Sequence, residues 1–462
     1  MKKSNRIIIL NILSTVIIQG LNFLASPIFS RLLGTENYGV VSLYNTWTMI
    51  ITAVFSLQVG STLQIARNRF PLEDQDKYQS SVLSFGSVNY LLFSLLVFLF
   101  LNQISGVIKM EKTLILVMII HSYGQFCLHF ANSKYTYEFK AGRNFVLSVV
   151  TSVFSIGLSV FLIYKLPEAT NYWGRILGNA VTYALMGLVA WLLIFPKGRV
   201  FFKAEYWRFA LPLGLPLILH SLSGLILSQS DRVMLQHMGT EAMVGIYSLA
   251  FSFSTVLNVI WNALNNSWVP YYFEYTRTGN IEEMKQRARN YLELFTVLST
   301  GFVLLSPEVY HIFADGRFWE GTKVVPLLAV GYYMVFLYSF PVNFEFFHQK
   351  NKFIAVTTVA AALCNILLNY FFIRWWGFLG AALATAIAHG LQFVFHYISA
   401  RFLIGRKDFP FSFGLLMEYA IPFLVISIFC TCTDGFALVR WAVGAVLGIW
   451  ELYRVYRRKK IF

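Results

Sequence analysis

The chain has 462 residues, of which 57% are hydrophobic and 17% aromatic but only 13% charged, and its mean hydropathy is +0.60. Charged residues run at about half the ~25% of soluble domains, which excludes an ordinary water-soluble protein and a disordered chain alike. Lys and Arg number 37 against 22 Asp and Glu, a net charge of +15 that in a soluble protein would suggest nucleic acid.

Fourteen apolar runs of about the ~20 residues a membrane span needs lie near 7–30, 38–64, 80–101, 113–133, 144–164, 174–195, 209–235, 243–266, 290–313, 323–345, 353–373, 378–400, 411–430 and 436–453. Lipid offers no water to open strand edges, so these runs are read as helices, and the alternating segments of a transmembrane barrel are missing. The first run, Ile7 to Ile28, is too long for a signal-peptide core and lacks a clear small-residue cleavage site, so it is read as a span. The expected fold class is an all-α integral membrane protein of about fourteen transmembrane helices.

The first span ends in Pro27 and Arg31, and the second carries Asn45, Thr48, Thr52 and Ser56 along one face. His121 and His129 lie on the fourth span, and Lys134, Glu138, Lys140 and Arg143 form an ordinary turn after it. The seventh span holds Pro212, Pro216 and His220 and then Ser230-Asp231-Arg232. Prolines there free carbonyls where a helix flexes or borders water. Arg31 and Arg232 offer guanidinium forks suited to phosphate, or else anchor at the outer interface. Asp231 is expected to pair near Arg232 or with a base elsewhere. Thr35-Glu36 and Thr240-Glu241 read as helix caps.

In the eighth span Thr255, Asn258, Asn262, Asn265 and Asn266 fall within an arc of ~100°, flanked by Trp261 and Trp268. Polar residues are expensive inside a membrane. The two polar faces are expected to contact sugar hydroxyls from a hydrated cavity, with the tryptophans stacking; the simpler reading is hydrogen bonding between helices. Ser267 to Arg289 is read as the longest connector, with Asn280 and Glu283 as a capping box. Glu345, on the tenth span, could bind a coupling cation or a proton, or pair with Lys350 or Lys352. His389 and His396, like the earlier pair, read as buried neutral imidazoles.

Placing the N-terminus in the cytoplasm puts 27 of the 37 Lys and Arg on that side, including the tail from Arg454 to Lys460. The basic excess therefore reads as a topology device, and nucleic acid is not expected as a partner. An internal repeat supports an even span count. Leu33-Gly-Thr-Glu-Asn-Tyr-Gly39 is echoed by Met238-Gly-Thr-Glu-Ala-Met-Val-Gly245, and Trp173, Gly174, Thr182 and Gly187 by Trp376, Gly377, Thr385 and Gly390. The expected organisation is a six-helix bundle over 1–200, a parallel six-helix repeat over 201–405, and two further helices with a basic tail over 406–462. The four cysteines form no zinc or redox spacing, and no metalloprotease, P-loop or nucleophile-elbow motif occurs. No enzyme activity, cofactor or metal is expected.

These repeat motifs, with Asp231-Arg232 and Gly377-Phe-Leu-Gly-Ala-Ala-Leu-Ala-Thr385, resemble the lipid-linked oligosaccharide flippases. These are the Wzx-type polysaccharide transporters of the multidrug/oligosaccharidyl-lipid/polysaccharide superfamily. The resemblance implies two six-helix bundles around a V-shaped cavity in a bacterial inner membrane. It implies that an undecaprenyl-diphosphate-linked oligosaccharide passes from the cytoplasmic to the outer leaflet for O-antigen, capsule or exopolysaccharide assembly. A polysaccharide polymerase and chain-length proteins are then the expected partners besides the lipid bilayer. A cation-coupled multidrug exporter of the same superfamily is the alternative, and a polymerase is disfavoured because the outer connectors are short.

Overall fold

The computed structural model describes residues 3–404, 409–432 and 437–458, with side chains from residue 20 onward apart from 22, 220, 351, 432, 455 and 458. In chain order the helices are α1 (Lys3–Phe55), α2 (Leu63–Arg69), α3 (Gln75–Leu99), α4 (Leu101–Ile108), α5 (Lys112–Tyr137), α6 (Ala141–Ile163) and α7 (Tyr172–Gly198). They continue as α8 (Ala204–Met238), α9 (Glu241–Thr278), α10 (Ile281–Phe313), α11 (Val325–Phe347), α12 (Asn351–Ile398), α13 (Phe413–Cys432) and α14 (Ala437–Arg458). No strand occurs among the described residues.

Eleven of the described helices are long and apolar enough to cross a membrane. Two of them hold two sequence runs each. α1 breaks at Gly34 (φ 72°) and α12 at Gly377 (φ 57°), a backbone region that side chains with a Cβ avoid. α14, whose apolar stretch is interrupted by charge, accounts for the last run. The protein is thus a multi-pass, all-α membrane protein, as its composition requires. Burial says the same: 72% of the apolar window of α11 is buried, against 28% for α3, α6 and α13, which turn rows such as Leu91, Leu95 and Phe98 outward. An outward leucine face of that extent suits lipid, not water.

Packing divides the chain into two units, Met1–Leu33 with Val40–Leu225, and Gly34–Gly39 with Ile226–Phe462. The first has a core around Phe55, Tyr78, Tyr90, Phe126 and Tyr206. The second has a larger aromatic core, in which Trp268, Tyr291, Phe336 and Phe340 interlock at ring separations of 5.0–6.0 Å. α14 is held to α10 by ion pairs from Arg440 to Glu308 and from Arg454 to Glu293. Removing Arg440 and Arg454 from water is tolerable because each meets a carboxylate.

The repeat motif has a packing role beyond capping. Thr240 does cap α9, accepting from the Met243 N–H at 3.3 Å. But a Cβ on Gly39 would lie 1.9 Å from the Glu241 carbonyl oxygen, and one on Gly245 would lie 2.0 Å from that of Thr35. The two copies of the motif cross backbone to backbone, and only hydrogen fits between them.

Two sequence boundaries are corrected. The second run ends at Phe55, not 64; Leu57 and Gln58 take positive φ, and a short 3-10 turn leads into α2. The stretch Ser267 to Arg289, read as a connector, is helical on both sides of a single turn. α9 continues to Thr278, turns at Gly279 (φ 72°), and α10 begins at Ile281. Asn280 makes no backbone cap; its Nδ2 donates to Glu283 Oε2 at 3.0 Å, while Glu283 Oε1 accepts from Tyr275 at 2.9 Å and pairs with Arg287 at 3.2 Å. These contacts zip the polar ends of two long helices.

Candidate functional site

In the first unit the polar row of α1 is closed. Thr48, Thr52 and Ser56 are 2%, 8% and 6% exposed. Thr48 Oγ1 donates to the Tyr44 carbonyl and Thr52 Oγ1 to that of Thr48, each at 2.7 Å. Thr52 also reaches Gln125 Oε1 at 3.0 Å, and Ser56 Oγ accepts from the Gln58 N–H at 3.2 Å. Short hydroxyl side chains satisfy themselves on the preceding turn of their own helix. Only Thr52, through Gln125, bonds to another helix; the other hydroxyls are spent within their own stretch. Arg31 is exposed at the end of the first span. His220 lies outside the described side chains. His121 is buried against Tyr44, with Nδ1 3.1 Å from its hydroxyl.

In the second unit the row on α9 is different. Asn258, Asn262 and Asn265 are half-buried and Asn266 is exposed. Asn262 Nδ2 donates to the Asn258 carbonyl at 2.8 Å. Asn265 Oδ1 and Trp261 Nε1 are buried atoms with no hydrogen-bond partner. An amide carries four hydrogen-bonding sites and cannot spend them all on its own helix. The row therefore keeps an acceptor and a donor unspent. Trp268 is corrected: it is fully buried in the aromatic core and offers no face for stacking.

The densest polar cluster surrounds Asp231, on α8, which is 0% exposed. Its carboxylate accepts from Asn369 Nδ2 and from Thr385 Oγ1, both on α12 and both at 2.6 Å, and from the Tyr247 hydroxyl on α9. Asn369 Nδ2 also donates to Asn365 Oδ1 at 3.1 Å, which accepts from Ser230 Oγ at 2.7 Å. Asn369 Oδ1 is buried and unpartnered. No cation lies within ion-pair distance of Asp231 among the described residues; of the two expected pairings it is the one near Arg232 that forms, through Tyr247, whose ring also faces the Arg232 guanidinium. Three neutral groups donate to the carboxyl. The cluster gathers carboxylate, amide and hydroxyl oxygens, with one amide oxygen unspent. Such a set suits a hard cation, or a proton on the carboxylate.

Arg232, next in the chain, is only 6% exposed. Its Nε donates to Ser248 Oγ at 3.0 Å and its Nη1 to the Ser228 carbonyl and Gln229 Oε1, at 3.0 and 2.8 Å. The guanidinium lies over Phe251, 4.4 Å from the ring centre. It pairs with no carboxylate among the described residues, so two ionisable neighbours in the sequence are each bonded by neutral groups.

Glu345 forms a second buried centre. It is 0% exposed, and its Oε2 meets His396 Nδ1 at 2.6 Å, not Lys350 or Lys352. Thr357 Oγ1 sits 3.1 Å from His396 Nε2, and Glu345 Oε1 has no partner. His389 is bonded to Gln392 at 3.1 Å. Sequence reading singled out Asp231, Glu345 and Asn262 but missed Asn365 and Asn369. An Asn-x-x-x-Asn spacing within the apolar run of 353–373 was the available signal, since it sets two amides on one helix face.

The Polysaccharide biosynthesis protein family matches residues 5–276, more than half of the chain. The chain belongs to that family. Among relatives, an uncharacterized membrane protein of Haemophilus influenzae is 23% identical over 355 residues, covering 74% of this chain and 83% of its own length. The probable low-salt glycan biosynthesis flippase Agl15 of Haloferax volcanii is 22% identical over 419 residues, 88% of this chain and 85% of its own. Among solved structures, the lipid II flippase MurJ in an inward closed conformation superposes with a TM-score of 0.76, over 97% of this chain and 99% of that one, at 18% identity. The chain thus shares the all-α fold of that structure over nearly its whole length.

Proposed function

We propose that this protein is a flippase that carries an undecaprenyl-diphosphate-linked oligosaccharide from the cytoplasmic to the outer leaflet of a bacterial inner membrane, for assembly of O-antigen, capsule or exopolysaccharide. The observation that carries this reading is the α9 row, where Asn265 Oδ1 and Trp261 Nε1 remain unspent in a membrane protein of a polysaccharide biosynthesis family. Amides and an indole N–H are complementary to sugar hydroxyls, which donate and accept in equal measure. The polyprenyl tail needs no protein path because it stays in lipid.

In this reading both termini are cytoplasmic, as the basic residues favour. Residues 1–200 and 201–405 act as six-helix repeats that move against one another, with 406–462 appended. Asp231 couples the cycle: a cation or proton arriving at its carboxylate displaces the Asn369, Thr385 and Tyr247 donors and so biases α8 against α12. The multidrug reading needs an open carboxylate for a cationic drug. Asp231 and Glu345 are both closed by bonded partners, which favours the glycan reading.

Deleting the gene and analysing membrane lipids tests the proposal. Lipid-linked repeat units should accumulate on the cytoplasmic leaflet with their assembly otherwise intact. Normal surface polysaccharide in a strain with no redundant transporter would overturn it.

A further inference from the structure

At one end of the first unit a cavity of about 230 Å³ opens where α2 and α5 finish, α3 begins and α7 ends. At ~30 Å³ per water this is room for several waters, more than packing between helix ends requires. Its charged lining is Arg67, Asp76, Lys134, Glu138, Lys140 and Lys197, four cations against two carboxylates.

The carboxylates are already committed. Lys134, whose side chain is 1% exposed, holds Asp76 at 3.0 Å and Glu138 at 2.7 Å, and also bonds Gln79. Lys140 takes the second oxygen of Glu138 at 2.6 Å. Burial pushes the Glu138 carboxyl up, but the bonds from Lys134 and Lys140 outweigh it and hold it down to about 2. Its negative charge is thus fixed, and spent on those two lysines.

Two cations are left over. The Arg67 guanidinium lies 5.3 Å from the centre of the Phe139 ring, and its Nη1 is a buried donor without a hydrogen-bond partner. Lys197 has no carboxylate within ion-pair distance among the described residues. A buried guanidinium donor without an acceptor is costly, and a mobile anion would remove that cost. A planar fork and a point charge facing one cavity match the tetrahedral oxygens of a phosphate. All four cations also come from stretches that the distribution of Lys and Arg assigns to one side of the membrane, at headgroup level.

We infer that this cavity binds a phosphoryl group, with Arg67 and Lys197 as its ligands and the Lys134 ion network as its rigid floor. The chemistry is that of a phosphate monoester or diphosphate, carried by an anionic lipid headgroup or by a soluble phosphate. The site lies wholly within the first unit and does not depend on what the protein transports.

The test uses the full chain in nanodiscs of phosphatidylcholine, titrated with inorganic pyrophosphate and followed by thermal unfolding. Pyrophosphate should raise the unfolding temperature, and Lys197→Gln and Arg67→Gln should each weaken its apparent affinity about tenfold, the effect of one charge-assisted contact, while Lys197→Arg retains it. Lys197 is exposed, so its substitution leaves the fold intact. A second arm adds phosphatidic acid to the discs. If the lipid abolishes the pyrophosphate response, the site belongs to a headgroup; if the response persists, it belongs to a soluble phosphate. Identical responses of the wild type and the Arg67→Gln/Lys197→Gln double variant to both probes would overturn the inference.

Discussion

The polar faces of α1 and α9 occupy matching places in the two repeats, yet they end in opposite states. The threonines and serine of α1 hand their hydroxyls to the preceding turn and disappear into the first unit. The asparagines of α9 stay half-buried with atoms unspent. The Asp231 cluster widens the contrast. At the repeat lags, Asp231 corresponds to Ser26, and Asn365 and Asn369 to Leu162 and Leu166; of the cluster, only Thr385 keeps its like, Thr182. Of the two copies of the sequence motif, only the second stands beside a buried carboxyl bonded by neutral donors. A polar residue in a span is therefore informative when its chemistry exceeds what its own helix can absorb.

That contrast can be broken by experiment. Asp231→Asn, nearly isosteric, should reduce transport about 100-fold, the ~2–3 kcal/mol of a hydrogen-bonded charge, whereas Thr52→Val in the first repeat should stay within about threefold. Equal losses in a transport or complementation assay would erase the distinction. Gly39→Val should lower stability by about 1–3 kcal/mol or more, since its Cβ would enter the Glu241 carbonyl, while Gly157→Val, with nothing within 4 Å, should leave the unfolding temperature unchanged. This separates loss of function from loss of fold.

Asn265→Ala should weaken transport by about tenfold, consistent with ~1.4 kcal/mol for one recognition hydrogen bond, and Thr48→Ala should do nothing. The smallest effect concerns pH. The folded Glu138 carboxyl titrates near 2 against an ordinary 4.5. Its contribution to stability is therefore complete above about pH 4.5 and fades as pH falls toward 2. Glu138→Gln should flatten that part of an acid-unfolding curve.

Much of this was open to sequence reading because lipid imposes long apolar runs. The all-α class, the run positions and the repeat followed from hydropathy and spacing. What escaped depends on contacts between distant residues. Glu345 finds His396 across 51 positions, which no local pattern encodes. Trp268 shares a helix with the asparagines, but whether an aromatic ring meets ligand or core depends on which neighbours surround it. Apolar runs stop short of the polar ends of α9 and α10, where Tyr275, Glu283 and Arg287 carry the pairing. The Thr-Glu pairs of the repeat read as caps because caps are local, whereas the crossing at its glycines is not.

The crossing at Gly39 and Gly245 has a consequence for biosynthesis. Residues 34–39 pack with the second unit, against residues that leave the ribosome about 200 positions later. At ~5–20 residues per second, that segment waits on the order of 10–40 s for its seat to be made. The early helices must therefore enter the bilayer with one short stretch unmated, and the insertion machinery or lipid has to shelter it until the later half arrives.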